Sequence, residues 1–309
     1  MIIEEKRNEV VENIRKATEA KAYNVCVEPD DPTPSAEERK EIRERFLKNY
    51  GSLRYRFNNF IARGIIRIAT YFANRHTPIY GLEKIEGIEG GAMITSNHFS
   101  PIDNTVVRKL VRAKGKRHMP VVGLESNLAM KGLFGFLMNY AELIPISNNA
   151  RYMHDHFGRL LQERIDRGDF VLMYPEQQMW FNYRLPRPCK RGTYYYAARM
   201  NVPVISCFVE IRDKEDLETP NFVEVSYAMH VLDPIYPDPN LSARENSIAM
   251  AEKDYRQKVA AYERIYGKKL DYRFDPEDIA GWIPTDEEKA DAAPKLEEPA
   301  FEQGLIGVA

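Results

Sequence analysis

From residue 78 onward, short apolar runs of strand length alternate with stretches of helical spacing, and no other feature of the chain narrows its fold as much. The runs are 79–85, 92–96, 118–122, 142–146, 170–174, 203–209 and 223–230; helices are expected near 101–113, 131–140, 152–167, 192–200 and 242–266. Short strands that are apolar throughout belong in a sheet buried on both faces. Their alternation with helices predicts an α/β fold: a mostly parallel or mixed sheet of about seven strands with helices on both faces, preceded by an N-terminal helical segment. In such a sheet reactive groups gather at the carboxyl ends of the strands.

The N-terminal segment is taken as 1–77. A charged helix is expected over 3–21, after which Pro29, Pro32 and Pro34 keep the chain extended. Ser35 with Glu38 forms a capping box that opens a second helix towards Asn49. A third helix is expected over about 53–74, where Phe57, Phe60, Ile61, Gly64, Ile65, Ile68, Ala69 and Phe72 follow helical spacing. Its charges are Arg54, Arg56, Arg63, Arg67 and Arg75, with no acidic residue among them. An apolar stripe flanked only by cations suits an anionic lipid surface, so Phe57, Phe60, Arg63 and Arg67 are expected to touch a membrane. The competing expectation is a helix packed on the core with solvated arginines.

No run reaches the roughly 20 apolar residues that span a bilayer. The closest, 132–146, is interrupted by Asn139 and Glu142. The N-terminus alternates charge and lacks the apolar stretch of a signal peptide. The protein is therefore expected to lie on a membrane, peripheral or monotopic, at its cytoplasmic face. The α/β domain is expected to occupy 78–284, and the Ala-, Pro- and Glu-rich stretch 285–309 to be a disordered acidic tail.

A formal net charge of −2 gives no global basic excess and argues against nucleic acid as a partner. Cys26, Cys189 and Cys207 are odd in number and far apart, which fits neither a disulfide framework nor a zinc site. His154 and His156 are two apart on an expected helix and point to different faces, so no metal is expected there.

The chemistry concentrates in AMITSNHFSPIDNTVV. An apolar strand ends at Ser96, His98 follows, Pro101 opens a helix, and Asp103 lies five residues after the histidine. A neutral imidazole takes a proton from a hydroxyl as that oxygen attacks an acyl carbon. A carboxylate on the other ring nitrogen fixes the tautomer and stabilises the imidazolium. The chain has no G-x-S-x-G elbow, so the hydroxyl would come from the substrate. The spacing alone also fits a turn histidine beside a capping aspartate.

The segment NHFSPID resembles the N-H-x4-D signature of the glycerol-3-phosphate and lysophosphatidic acid acyltransferase family. Further blocks follow in order: IYGLEKI resembles the lead-in strand, FVLMYPEQ the block written F-P-E-G-T-R-S, and CKRGTYYYAARMNVPVISCFV the K-x-G…VPV block. This resemblance covers about 79–231. It implies transfer of a fatty acyl group from acyl-CoA or acyl carrier protein to the hydroxyl of a lysophospholipid, usually lysophosphatidic acid. No cofactor is implied beyond that co-substrate. His98 would be the base and Asp103 its orienter. Asn97 and Glu176 would help build the substrate site, and Lys190 and Gly192 fall on the K-x-G positions.

The chain departs from the pattern at Gln177, Gln178, Met179 and Trp180, where the glycine, threonine and arginine are missing. Ile144-Pro145-Ile146 is followed by Ser147-Asn148-Asn149 instead of an arginine. Both lost arginines belong to the family's grip on the acceptor phosphate. Positive charge returns in FNYRLPRPCKRG, and Arg184, Arg187, Lys190 and Arg191 are expected to bind acceptor or CoA phosphates. The alternatives are a different acceptor, a glycolipid or wall-polymer precursor, and a catalytically silent lipid-binding scaffold.

Overall fold

The computed structural model describes residues 4–29 and 32–285. In chain order it contains α1 (Glu4–Glu19), α2 (Ala36–Asn49), α3 (Leu53–Asn74), β1 (Ile79–Tyr80), β2 (Ala92–Thr95), α4 (Asn104–Ala113), β3 (Val121–Leu124), α5 (Gly132–Tyr140), β4 (Leu143–Ile146), α6 (Ala150–Tyr152), α7 (Gly158–Asp166), β5 (Phe170–Met173), α8 (Gly192–Arg199), β6 (Val204–Thr219), β7 (Phe222–Val231) and α9 (Ala243–Tyr266). The strands form one seven-stranded sheet in the order β1-β7-β6-β2-β5-β3-β4. Neighbours are parallel except β6 and β7, which form an antiparallel hairpin, so the sheet is mixed.

Successive residues of a strand point to opposite faces. β2 sends Met93 to one core cluster and Ile94 to the other; β5 sends Val171 and Met173 one way, Phe170 and Leu172 the other. Val106, Val107, Leu110 and Val111 of α4 cover one face. Leu160 and Leu161 of α7, Tyr194 and Ala197 of α8, and Met250 of α9 cover the other. Because both faces are closed, the central runs are apolar except for Thr95 and Ser206, which bond to Asp254. Burial of each large aliphatic side chain is stabilising by about 1.5–3 kcal/mol.

The strand expected at 203–209 continues to Thr219. Residues 212–218 are exposed and, apart from Leu217, polar, yet β7 pairs with their backbone through an irregular register. A hydrophobic pattern does not register that pairing. Only Ile79–Tyr80 of the run 79–85 is a strand; Gly81, at φ 79°, turns the chain into the short helical turn Leu82–Ile85. The helix expected from 101 starts at Asn104, and the one expected over 152–167 is interrupted by a π-helical turn, Met153–Phe157.

The N-terminal helices share the same cores. Val10, Val11 and Ile14 of α1 pack with Trp180, Phe181, Phe208 and Phe222, and Ile42 and Phe46 of α2 join the cluster of α7 and α8. Beyond Thr285, the expected acidic tail lies outside the described residues.

α3 is found where its spacing predicts it, capped by Ser52, whose hydroxyl accepts from the Tyr55 amide. Its inward face carries one aromatic, Tyr55, beside Tyr50 and Tyr140, and otherwise small or polar side chains: Ala62, Thr70 and Asn74 are buried. Asn59 donates to the Tyr140 carbonyl at 2.7 Å and Asn74 to Thr105 Oγ1 at 2.7 Å. Arg63 turns inward, 3.8 Å from the buried Glu142 carboxylate, which also holds His118 at 2.6 Å and Arg164. The apolar stripe faces out, with Phe57 66% and Phe60 75% exposed. Leu133 and Phe134 of α5 are exposed as well. α3 is thus fastened to the core by polar bonds and leaves its aromatic face bare, the reverse of ordinary amphipathic packing. Among the described residues no helix is long and apolar enough to cross a membrane.

Candidate active site

β2 and β5 lie side by side, with Thr95 opposite Met173 in register. The chain leaves β2 through Ser96 and β5 through Tyr174, so His98 and Tyr174 emerge together at the carboxyl end of the sheet. The loop between β2 and α4 is wound around one carboxylate. Oδ2 of Asp103 accepts from the Phe99 amide at 2.9 Å, the Ser100 amide at 3.2 Å and His98 Nδ1 at 2.7 Å. Oδ1 accepts from the Tyr174 hydroxyl at 2.6 Å. A carboxylate offers only acceptors, so Nδ1 donates to it, and in the neutral imidazole that tautomer leaves the lone pair on Nε2. The His98 side chain is 21% exposed, and among the described residues Nε2 has no hydrogen-bond partner. The imidazole lies on the Tyr174 ring at 3.9 Å between centroids and 13° between planes.

The remaining expected site residues divide into supports and free groups. Asn97 is buried, and its amide clamps β6: Nδ2 donates to the Val209 carbonyl at 3.0 Å and Oδ1 accepts from the Val209 amide at 2.8 Å. It continues the sheet past the end of β2 and offers nothing to a substrate. Glu176 is also buried. Oε2 accepts from the His98 amide at 3.2 Å and pairs with Arg187 at 3.0 Å, while Oε1 accepts from the Arg187 amide at 3.0 Å. It braces the histidine loop from behind instead of lining an open acceptor site. Gln177, where the resembled block has glycine, takes φ 69°, a left-handed conformation that glycine adopts without strain.

The basic loop is corrected most. Arg187 is 1% exposed. Its guanidinium donates to the Tyr23 carbonyl at 3.0 Å, the His98 carbonyl at 3.3 Å and the Gln178 carbonyl, and lies 4.6 Å over the Trp180 ring. Arg184 pairs with Asp213 and donates to the Glu277 carbonyl. With their donors committed inside the fold, neither is open to a phosphate. Lys190 is exposed, Arg191 is partly exposed, and Gly192 begins α8; among the described residues neither cation has an ion-pair partner.

Two sets of residues escaped the sequence expectations. Tyr174 is one; its signal is an aromatic at the end of an apolar strand, but only the strand order brings it to His98. The other is the segment after α1: Tyr23 accepts from Arg187, Asn24 donates to the Glu176 carbonyl at 3.2 Å, and the Val25 carbonyl accepts from the Trp180 indole at 3.0 Å. Nothing in 23–25 marks them, because two of these contacts use the segment's own backbone carbonyls and the third ends on the backbone carbonyl of Glu176. Behind β2, Asp254 of α9 is fully buried, pairs with Lys258 at 2.9 Å and accepts from Thr95 at 2.7 Å, tying α9 to the strand that carries His98.

Residues 76–210 match the model of the family described as Acyltransferase. No curated protein matches the chain. Among solved structures, the 1-acyl-sn-glycerophosphate (LPA) acyltransferase PlsC from Thermotoga maritima is similar at 13% identity and a TM-score of 0.46, over 85% of this chain and 97% of that one.

Proposed function

We propose that this chain, whose residues 76–210 match the model of the family described as Acyltransferase, moves a fatty acyl group from an acyl-CoA or acyl-carrier-protein thioester to the hydroxyl of a lysophospholipid, 1-acylglycerol-3-phosphate, at the cytoplasmic face of a membrane. The observation that carries this reading is the open Nε2 of His98, with Asp103 2.7 Å from Nδ1 on the far side of the ring. The acceptor hydroxyl gives its proton to Nε2 as its oxygen attacks the thioester carbonyl. The tetrahedral intermediate collapses, the C–S bond breaks, and the leaving sulfur takes the proton back from the imidazolium. His98 returns to its neutral form and nothing else is consumed.

No residue of the chain has to carry the acyl group. Burial pushes the thiols of Cys189 and Cys207 up to about 12, so neither is a thiolate nucleophile at neutral pH. Of the four cations in the basic loop, Lys190 and Arg191 remain to meet the phosphate of the acceptor or donor.

The reading is tested with labelled acyl-CoA or acyl carrier protein and a panel of lysolipids presented on vesicles. Preferential acylation of 1-acylglycerol-3-phosphate is expected. Preference for a lysoglycolipid or a wall-polymer precursor would overturn the acceptor, and transfer to no acceptor at all would favour a silent lipid-binding scaffold.

The bare aromatic face of α3 supports the membrane side of the proposal. Burying a phenylalanine contributes about 1.5–3 kcal/mol, and the exposed Arg54, Arg56 and Arg67 beside Phe57 and Phe60 suit anionic headgroups. The double substitution Phe57→Ser/Phe60→Ser is expected to weaken co-sedimentation with anionic vesicles at least about 10-fold without lowering Tm. Unchanged sedimentation would remove α3 from the membrane interface.

A further inference from the structure

We infer that Tyr174 is a positioning residue of this site, whose hydroxyl sets the Asp103 carboxylate that in turn holds His98. The inference rests on the proposal that His98 is the base. It is carried by two contacts made by one side chain: the ring lies flat on the imidazole at 3.9 Å, and the hydroxyl reaches Asp103 Oδ1 at 2.6 Å. The three donors on Oδ2 all come from the loop of His98 itself. Tyr174 comes from the adjacent strand and fixes the other oxygen, so the plane of the carboxylate is set from outside the loop.

A phenylalanine, the first letter of the block that Tyr174-Pro175-Glu176 resembles, would stack in the same way and leave Oδ1 bare. Burial and then the Asp103 charge push the Tyr174 hydroxyl well above its ordinary value, so it is a neutral donor throughout the assay range. Other titratable groups close to this pair are Arg108 from α4, an electrostatic neighbour of Tyr174, and Tyr227 from β7, which senses the Asp103 charge. Glu176 and Arg187 lie behind the loop, on the amide and carbonyl of His98.

Donation to Oδ1 draws charge away from Oδ2. Removing it leaves a stronger negative charge beside the imidazolium and a carboxylate free to tilt. Tyr174→Phe is therefore expected to lower kcat about 10-fold with KM for donor and acceptor within about 2-fold. The acid limb of the kcat/KM profile should move up by about half a pH unit, because His98 then holds its proton more tightly. A second variant keeps the size and the hydroxyl: 3-fluorotyrosine at position 174, a stronger donor, should move the limb down. His98→Ala is run alongside. If that variant is inactive while Tyr174→Phe keeps both kcat and limb, the positioning role is overturned and the base role stands. A lower kcat with an unmoved limb in both Tyr174 variants would make Tyr174 merely structural and also overturn the inference. Full activity of His98→Ala would instead overturn the reading beneath it.

Discussion

Replacing His98 by alanine is expected to lower acyl transfer by about 10²–10⁴-fold, the range that a positioned general base supplies. The fold should survive. Asp103 keeps the amides of Phe99 and Ser100 and the Tyr174 hydroxyl after the imidazole is gone, so no buried carboxylate is stranded. His98 is itself partly exposed, so its truncation opens little closed volume. Tm should stay within about 2–3 °C of the parent, corresponding to roughly 1 kcal/mol, and vesicle binding through α3 should be unchanged. The checks are steady-state ester formation, calorimetry and co-sedimentation on the same preparation. Turnover at the parent rate would remove His98 from the mechanism.

Arg187→Ala is expected to do the opposite, costing stability first. The guanidinium bonds the Glu176 carboxylate and three carbonyls and covers the Trp180 ring. Truncation leaves Glu176 buried with only backbone donors, at His98 and at position 187. Removing one partner of a buried ion pair destabilises by about 3–5 kcal/mol, or roughly 6–20 °C in Tm at the 2–4 °C per kcal/mol of chains somewhat shorter than this one. Most of that cost comes from the stranded charge. Glu176→Gln/Arg187→Met is accordingly expected to lose less than the sum of its single substitutions. If Arg187 gripped a substrate phosphate instead, Arg187→Ala would raise KM and leave Tm alone. Calorimetry of the two singles and the double separates these outcomes.

Arg187 also marks the limit of what the chain alone discloses. Its charge is legible in the sequence and its burial is not. Prolines flank it in sequence and the Trp180 ring lies against it, but the Tyr23 carbonyl that accepts its hydrogen bond is 164 positions away. Glu176 and Asn97 are legible from their motif letters, but their bonds to backbone groups are not, because a motif letter does not say whether a polar group faces a ligand or a backbone amide. The His98–Asp103 pair was legible because one short loop holds both. Tyr174 was hidden because it reaches His98 through strand order, and β5 follows β2 in space only after the chain has passed through β3 and β4. The extent of α3 could be read from spacing; that its apolar stripe faces outward depends on the polar bonds of Asn59, Asn74 and Arg63, made by residues that hydrophobic periodicity ignores.

The central claim is that the acceptor hydroxyl, deprotonated by His98, attacks the thioester directly. A rapid acid quench of the wild-type protein mixed with labelled acyl-CoA and 1-acylglycerol-3-phosphate vesicles tests it, with label counted on both lipid and protein. The predicted result is label passing from thioester to lipid ester with none on the polypeptide at any time, and a rate of lipid labelling about 10²–10⁴-fold lower with His98→Ala. Label that appears on the protein and then chases into the lipid, or equal lipid labelling by the alanine variant, would contradict it.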